Sequence, residues 1–127
     1  LIRHRWRRPE LRDFERALAT AQAAFDSYQP AVVVGSSRGG ALAMNLDCGT
    51  ARLVLMCPAW RNWGRATTVK PGTVILHSRA DEVIPYAASV ALVAASGLPA
   101  SALIEVGEDH RLATPAPLAA MLAACEG

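Results

Sequence analysis

Hydrophobic positions recur at helical spacing in the first part of the chain. The residues that share one helical face are Leu11, Phe14, Leu18, Ala21 and Phe25. Pro9 suits the first turn of such a helix, and the segment YQP at 28–30 ends it. The pattern therefore predicts one amphipathic helix of about four turns.

Four short apolar runs follow, and segments of helical composition separate them. The runs are 31–34, 53–57, 73–77 and 102–106, and the helical segments are 39–46, 86–96 and 117–125. The runs do not alternate polar with apolar residues, which is typical of strands buried on both faces of a parallel sheet. The chain is therefore predicted to form an α/β fold, a three-layer sandwich around a mostly parallel sheet.

The composition indicates a single folded domain over residues 1–127. Hydrophobic residues make up 52% of the chain and charged residues 19%, a balance that excludes a disordered protein. No uncharged apolar run approaches the roughly 18 residues of a membrane span, and the start LIRHRWRR lacks the apolar middle of a signal peptide. We therefore expect a soluble, cytoplasmic protein without membrane association.

Charge and cysteine content narrow the classes of partner and cofactor. The net charge is +2, and six arginines crowd the first sixteen residues, where only Glu10, Asp13 and Glu15 oppose them. Because this run continues into an amphipathic helix with acid-base pairs, it is interpreted as a solvated helix face. An arginine-rich arm that binds nucleic acid is the alternative interpretation, and we expect no nucleic-acid partner. Cys48, Cys57 and Cys125 form no CxxC pair and have no histidine at metal-ligand spacing. The sequence thus predicts reduced thiols, no metal and no cofactor.

The turn after the first predicted strand contains the pattern G-x-S-x-G, in the segment GSSRGG at 35–40. A strand-to-helix turn of this kind is a nucleophile elbow, whose strained backbone projects the central serine, here Ser37, above the sheet. Small residues at Gly35 and Gly39 are expected to prevent clashes in so sharp a turn. The backbone N–H of Arg38, at the amino end of the next helix, is the predicted oxyanion donor.

Two further loops at strand ends contain partners for a serine nucleophile. The third strand runs into HSRADEVIP, in which Asp81 could orient a histidine, with Glu82 as the competing carboxylate. Alternatively, Asp81 caps the next helix or forms a turn, and His77 is interpreted as structural. The fourth strand ends in GEDH, which places His110 in the equivalent loop. Because side chains beyond the carboxyl ends of parallel strands share one edge of the sheet, we expect Ser37, Asp81 and His110 to meet.

The segments GSSRGG, HSRADEVIP and GEDH together resemble the α/β-hydrolase family, whose triad follows the chain order serine, acid, histidine. The resemblance covers about residues 30–125, and the chain looks like the small serine-hydrolase-like proteins that lack a large cap domain. It implies Ser37 as nucleophile, His110 as general base and then acid, and Asp81 as the orienting acid. The implied function is hydrolysis of an ester or thioester of a small-molecule acyl substrate through an acyl-enzyme.

The start of the chain differs from the family's pattern. In the family, strands and an oxyanion loop that often carries His-Gly come before the first helix seen here, whereas only residues 1–8 precede it and His4 is followed by Arg5. We therefore predict a minimal or N-terminally truncated α/β-hydrolase fold without a visible second oxyanion donor. One donor contributes about 3 kcal/mol to the transition state, so a weakly active or inactive hydrolase-like binding domain is the alternative function.

The same difference predicts an exposed sheet edge. Without a preceding strand, the strand at 31–34 has an open side, which is a pairing hazard. Leu1 and Ile2, residues outside this sequence, or a second copy of the chain in a homo-oligomer would cover it.

Residues beside the predicted site could shape a substrate pocket. Trp60 and Trp63 follow the second strand and could line a hydrophobic site, and Arg61 or Arg65 could bind an anionic group. The alternative interpretation is that both indoles cover a thin, alanine-rich core. The residues predicted to contact substrate are Ser36, Trp60, Arg61 and Trp63.

Overall fold

The computed structural model describes the backbone of residues 2–127 and the side chains of residues 10–127. The helices are α1 (Ile2–Tyr28), α2 (Arg38–Asn45), α3 (Tyr86–Ser96) and α4 (Pro115–Glu126), and the strands are β1 (Val32–Ser36), β2 (Arg52–Met56), β3 (Val74–His77) and β4 (Leu103–Glu105). A 3₁₀ turn at Ala100–Ala102 leads into β4. The predictions about His4, the first arginines and the covering role of Leu1 and Ile2 concern side chains outside the described residues.

The four strands form one parallel sheet in the order β1-β2-β3-β4. Gly35 of β1 pairs with Leu55 of β2, Leu55 pairs with Ile75 of β3, and Ile75 pairs with Leu103 of β4. This arrangement confirms the predicted α/β architecture. It also gathers the carboxyl ends of all four strands along one edge of the sheet, where the candidate residues lie.

The hydrophobic core occupies both faces of the sheet, because alternate residues of a strand point to opposite sides. On one face, Leu55 and Ile75 pack in a cluster with Phe25 of α1, Met44 of α2 and Leu92 of α3. On the other face, a second cluster brings together Val54, Met56, Leu76 and Leu112, and residues of α4 pack against it. The helices therefore form outer layers on both sides of the sheet.

The first helix is longer than the pattern predicted. It begins at Ile2, so Pro9 lies inside α1 and not in its first turn. The arginines of this segment are good helix formers, which explains why the helix extends back beyond the apolar stripe. Of that stripe, Phe14 and Phe25 are buried, whereas Leu11 is 40% exposed. Among the described residues, no helix combines the length and the apolar character that crossing a membrane requires.

The predicted edge is present, because β1 pairs with a neighbouring strand on one side only within the described chain. Val34 in this strand is 45% exposed. The strand continues through Gly35 to Ser36, beyond the predicted end at Val34, because its hydrogen bonding to β2 does not stop at the glycine. This extension carries the backbone directly into the turn that holds Ser37.

Candidate active site

Ser37 lies in the sharp turn between β1 and α2, with φ 55° and ψ −117°. A positive φ is strained for a residue with a side chain, and it persists only where the surroundings hold it. The Ser37 N–H donates to the carbonyl of Met56 at 2.9 Å, and the Ser37 carbonyl accepts from Gly40, Ala41 and Ala59. Backbone hydrogen bonds from β2, α2 and the loop after β2 thus fix the serine in this conformation.

Two glycines near Ser37 permit this sharp turn, but they are not the predicted pair of Gly35 and Gly39. A Cβ at Gly35 would overlap the backbone of Gly39, so Gly35 has to be glycine as expected. The prediction was wrong for Gly39, because a Cβ there would meet nothing within 4 Å. The second close approach belongs to Gly40, where a Cβ would lie 2.9 Å from the Cα of Pro58. The elbow therefore packs on the loop after β2 through Gly40.

A chain of hydrogen bonds joins Ser37, His110 and Asp81. The Oγ of Ser37 lies 2.9 Å from Nε2 of His110, and Nδ1 of His110 lies 2.7 Å from Oδ2 of Asp81. The carboxylate can only accept, so Nδ1 carries the proton and Nε2 is free to accept the hydroxyl proton of Ser37. The three residues therefore meet as expected, and the competing Glu82 is exposed.

The side chain of Asp81 is fully buried. Its Oδ1 accepts from the N–H groups of Val83 and Ile84, each at 2.8 Å, so Asp81 also makes the turn that was the alternative interpretation. Burial opposes ionisation, but the hydrogen bonds from His110 and from these two N–H groups outweigh it and hold the pKa of Asp81 below its ordinary value. Asp81 is therefore ionised at neutral pH.

A second histidine contacts the same carboxylate. His77 is buried, and its Nε2 lies 3.1 Å from Oδ2 of Asp81 and 2.8 Å from the carbonyl oxygen of Ile84. Both of these groups accept, so Nε2 carries the proton, and Nδ1, 2.7 Å from the Ser89 hydroxyl, accepts from it. The structural interpretation of His77 agrees with this burial. Its contact with Asp81 was not predicted, because spacing along the chain does not show which way a strand-end side chain turns.

Cys57 is a third neighbour that sequence reasoning missed. Its thiol lies 3.2 Å from the carbonyl oxygen of His110, and its Sγ belongs with Asp81 and His110 to a group of metal-binding atom types that lie within 4.8 Å of one another. Burial and the charge of Asp81 raise the pKa of Cys57 to about 11. The Cys57 thiol is therefore protonated at neutral pH.

The two tryptophans make packing contacts beside the site. Trp60 donates from Nε1 to the carbonyl of Ala88 at 3.0 Å and packs against the core. Trp63 stacks on Phe14 with ring centroids 5.6 Å apart. These contacts agree with the interpretation that the indoles cover the core.

The arginines lie over these rings. The guanidinium carbon of Arg38 is 5.1 Å from the centre of the Trp63 ring, and that of Arg61 is 5.1 Å from the centre of the Trp60 ring. Ser36, the last residue of β1, is exposed next to Ser37. Contact of Ser36, Trp60, Arg61 or Trp63 with a substrate stays a prediction.

No protein-family model and no curated protein matches this sequence. Among solved structures, the chain is similar to a protein of Xanthomonas campestris pv. campestris described as a "putative hydrolase of the alpha/beta superfamily", with a TM-score of 0.71 and 28% identity over 90% of this chain and 66% of that one. It is also similar in fold to a "putative hydrolase" of Agrobacterium vitis S4, with a TM-score of 0.63 and 21% identity over 89% of this chain and 67% of that one. The chain thus spans slightly less than two thirds of the Xanthomonas protein. With its parallel sheet and strand-turn-helix elbow, the chain has an α/β-hydrolase fold.

Proposed function

We propose that this protein is a serine hydrolase that cleaves ester bonds through an acyl-enzyme on Ser37. One observation carries the proposal: Ser37, in a strained turn at the amino end of α2, hydrogen-bonds to His110, which hydrogen-bonds to the buried Asp81. The similarity to the Xanthomonas protein, itself described as a "putative hydrolase of the alpha/beta superfamily", supports hydrolysis in general. The ester substrate and the acyl-enzyme are our inference from the side-chain chemistry.

In the first half of the reaction, Ser37 Oγ attacks the carbonyl carbon of the ester while His110 Nε2 takes the hydroxyl proton. The carbonyl electron pair moves onto its oxygen, which the Arg38 N–H and the positive end of α2 stabilise. As the carbonyl re-forms, the bond to the alcohol breaks and His110 gives its proton to the leaving oxygen. Asp81 holds the His110 ring and stabilises its transient positive charge.

In the second half, water replaces the alcohol. His110 Nε2 takes a proton from the water, and the water oxygen attacks the acyl carbon. The bond to Ser37 Oγ then breaks, His110 returns the proton to Oγ, and the carboxylic acid leaves. The same residues thus serve both halves, and no group outside this set is needed to balance the protons.

A fluorophosphonate probe tests the proposal, because it phosphonylates an activated serine. We expect the folded protein to be labelled at Ser37, and Ser37→Ala to lose both labelling and ester hydrolysis. Ser101→Ala is the matched control, since Ser101 is an exposed serine of the 3₁₀ turn before β4 and should leave labelling unchanged. A folded wild-type protein that is neither labelled nor hydrolyses esters would contradict the proposal and favour the inactive binding domain.

A further inference from the structure

A small cavity lies between the loop after β2 and the loop after β3. Its volume is about 230 Å³. Apolar residues form most of its wall, among them Pro58, Ala59, Val83 and Ile84, and Arg61 and Asn62 provide its polar part. The lining thus combines an apolar surface with one positive charge.

Backbone hydrogen bonds join the cavity wall to the proposed catalytic residues. The N–H of Ala59 donates to the carbonyl of Ser37 at 2.9 Å. The N–H groups of Val83 and Ile84 donate to the carboxylate of Asp81 at 2.8 Å. The two loops that form the cavity wall are therefore the loops that hold the Ser37 backbone and the Asp81 carboxylate in place.

The volume limits what the cavity can hold. The volume lies below the roughly 300 Å³ at which pockets for drug-sized ligands begin. The cavity therefore suits a short chain.

The charge of Arg61 indicates which chemical group the bound chain carries at its end. Arg61 is the charged residue of the lining, and no carboxylate of residues 10–127 forms an ion pair with it. Its guanidinium lies over the ring of Trp60, which the hydrogen bond to Ala88 holds in place. A guanidinium supported on a fixed ring keeps its N–H groups available, and a carboxylate is the group that matches them.

We propose that this cavity binds a short aliphatic chain ending in a carboxylate, which Arg61 recognises, as one side of the ester substrate. The proposal rests on the proposed serine hydrolase function and specifies its substrate class. The chain belongs either to the acyl group, as in a glutaryl ester, or to the alcohol, and the two are distinguished by experiment. Arg65, the other candidate for an anionic group, does not line the cavity.

Two matched pairs of esters test the proposal on the complete chain. For the acyl side, the 4-nitrophenyl monoester of glutarate is compared with 4-nitrophenyl pentanoate. For the alcohol side, the acetyl ester of 4-hydroxybutanoate is compared with butyl acetate. We expect kcat/KM to be about tenfold higher for the anionic member of one pair, because a hydrogen bond to a charged group is gained. Equal or lower values for the anionic member in both pairs would overturn the proposal.

Two variants, each of which removes one positive charge, test whether Arg61 causes the preference for anionic esters. Arg61→Gln should reduce the ratio of anionic to neutral kcat/KM to below about twofold. Lys70→Gln should keep the ratio, because Lys70 precedes β3 at the opposite edge of the sheet and binds the carbonyl of Gly49. A ratio that survives Arg61→Gln, or that Lys70→Gln also abolishes, would overturn the assignment to Arg61.

Fluorophosphonate labelling separates this proposal from the one on which it rests. If Ser37 is labelled and neutral esters are cleaved but neither pair shows the preference, the cavity assignment is wrong and the hydrolase proposal stands. If the folded protein is not labelled and cleaves no ester, both are wrong.

Discussion

Two histidines contact one carboxylate oxygen of Asp81, and they are held very differently. His77, the last residue of β3, is completely buried, and both of its ring nitrogens have protein partners. His110, in the loop after β4, is 18% exposed, and its Nε2 faces the hydroxyl of Ser37. Each histidine has a serine hydroxyl on one ring nitrogen and Asp81 on the other, but Ser89 is completely buried, whereas Ser37 is partly exposed and can meet a substrate. Burial, more than proximity to the carboxylate, therefore separates the supporting histidine from the reactive one.

Removing His110, the partly exposed histidine, should have the largest effect on activity. In His110→Gln, Ser37 loses its proton acceptor, and we expect kcat/KM for an ester to fall by at least about 10⁴-fold. The free energy of unfolding should fall by about 1–2 kcal/mol, because the buried carboxylate of Asp81 loses a hydrogen bond. Ester hydrolysis and urea unfolding measure the two quantities, and activity within tenfold of wild type would contradict the assigned role.

Replacing the shared carboxylate should affect both histidines. Asp81→Asn leaves His110 without the acceptor that fixes its tautomer, so we expect kcat to fall by about 10³-fold to 10⁴-fold. The lowered pKa of Asp81 also makes its carboxylate stabilising above about pH 4, the ordinary pKa of this group in an unfolded chain.

That stability is lost as the pH falls through the lower pKa of the folded state. The difference in free energy of unfolding between wild type and Asp81→Asn should therefore be greatest near neutral pH and shrink on acidification below about pH 4. Urea unfolding over a pH series measures it. A difference that is independent of pH would show that the carboxylate gains nothing from its hydrogen bonds.

Displacing Ser37, the serine that hydrogen-bonds to His110, should cause the next largest loss of activity. Gly35→Ala forces a Cβ into the backbone of Gly39, so we expect a displaced Ser37 and a loss of roughly 10²-fold in activity. Gly39→Ala is the matched control, because its Cβ would enter open space and activity should stay within about threefold. Equal losses in both variants would contradict the packing described for the elbow.

Replacing the buried histidine, His77, should reduce stability strongly and activity only moderately. His77→Leu leaves the Ser89 hydroxyl and the Ile84 carbonyl without their partner, which should cost about 2 kcal/mol or more of unfolding free energy. Activity of the folded variant should fall only about tenfold, through looser positioning of Asp81.

A conservative variant distinguishes positioning from packing at the same site. His77→Gln restores an N–H near Nε2, so it should recover activity more fully than His77→Leu. His77→Leu removes the N–H that lies against Asp81 Oδ2, so kcat should fall in His77→Leu and recover in His77→Gln, with KM unchanged in both. Equal kcat in the two variants would assign His77 to packing only.

The sequence was sufficient to predict the strands, their parallel arrangement and the loops that hold Ser37, Asp81 and His110. This succeeds because apolar runs without polar alternation mark buried strands, and the carboxyl ends of parallel strands share an edge. The close contact of Gly40 with Pro58, the thiol of Cys57 beside His110 and the contact of His77 with Asp81 were not predicted. Each depends on how separate segments approach in space, which the spacing of residues along the chain does not encode.

The strand order determines when the proposed catalytic residues meet during folding. Ser37 follows β1 and His110 follows β4, and these are the first and last strands of the sheet. Their hydrogen bond forms only when all three strand pairings are in register, so a partly assembled sheet holds the serine without its base. Reactivity of Ser37 should therefore be the last property to appear during refolding, which makes labelling of this one hydroxyl a readout of the completed fold.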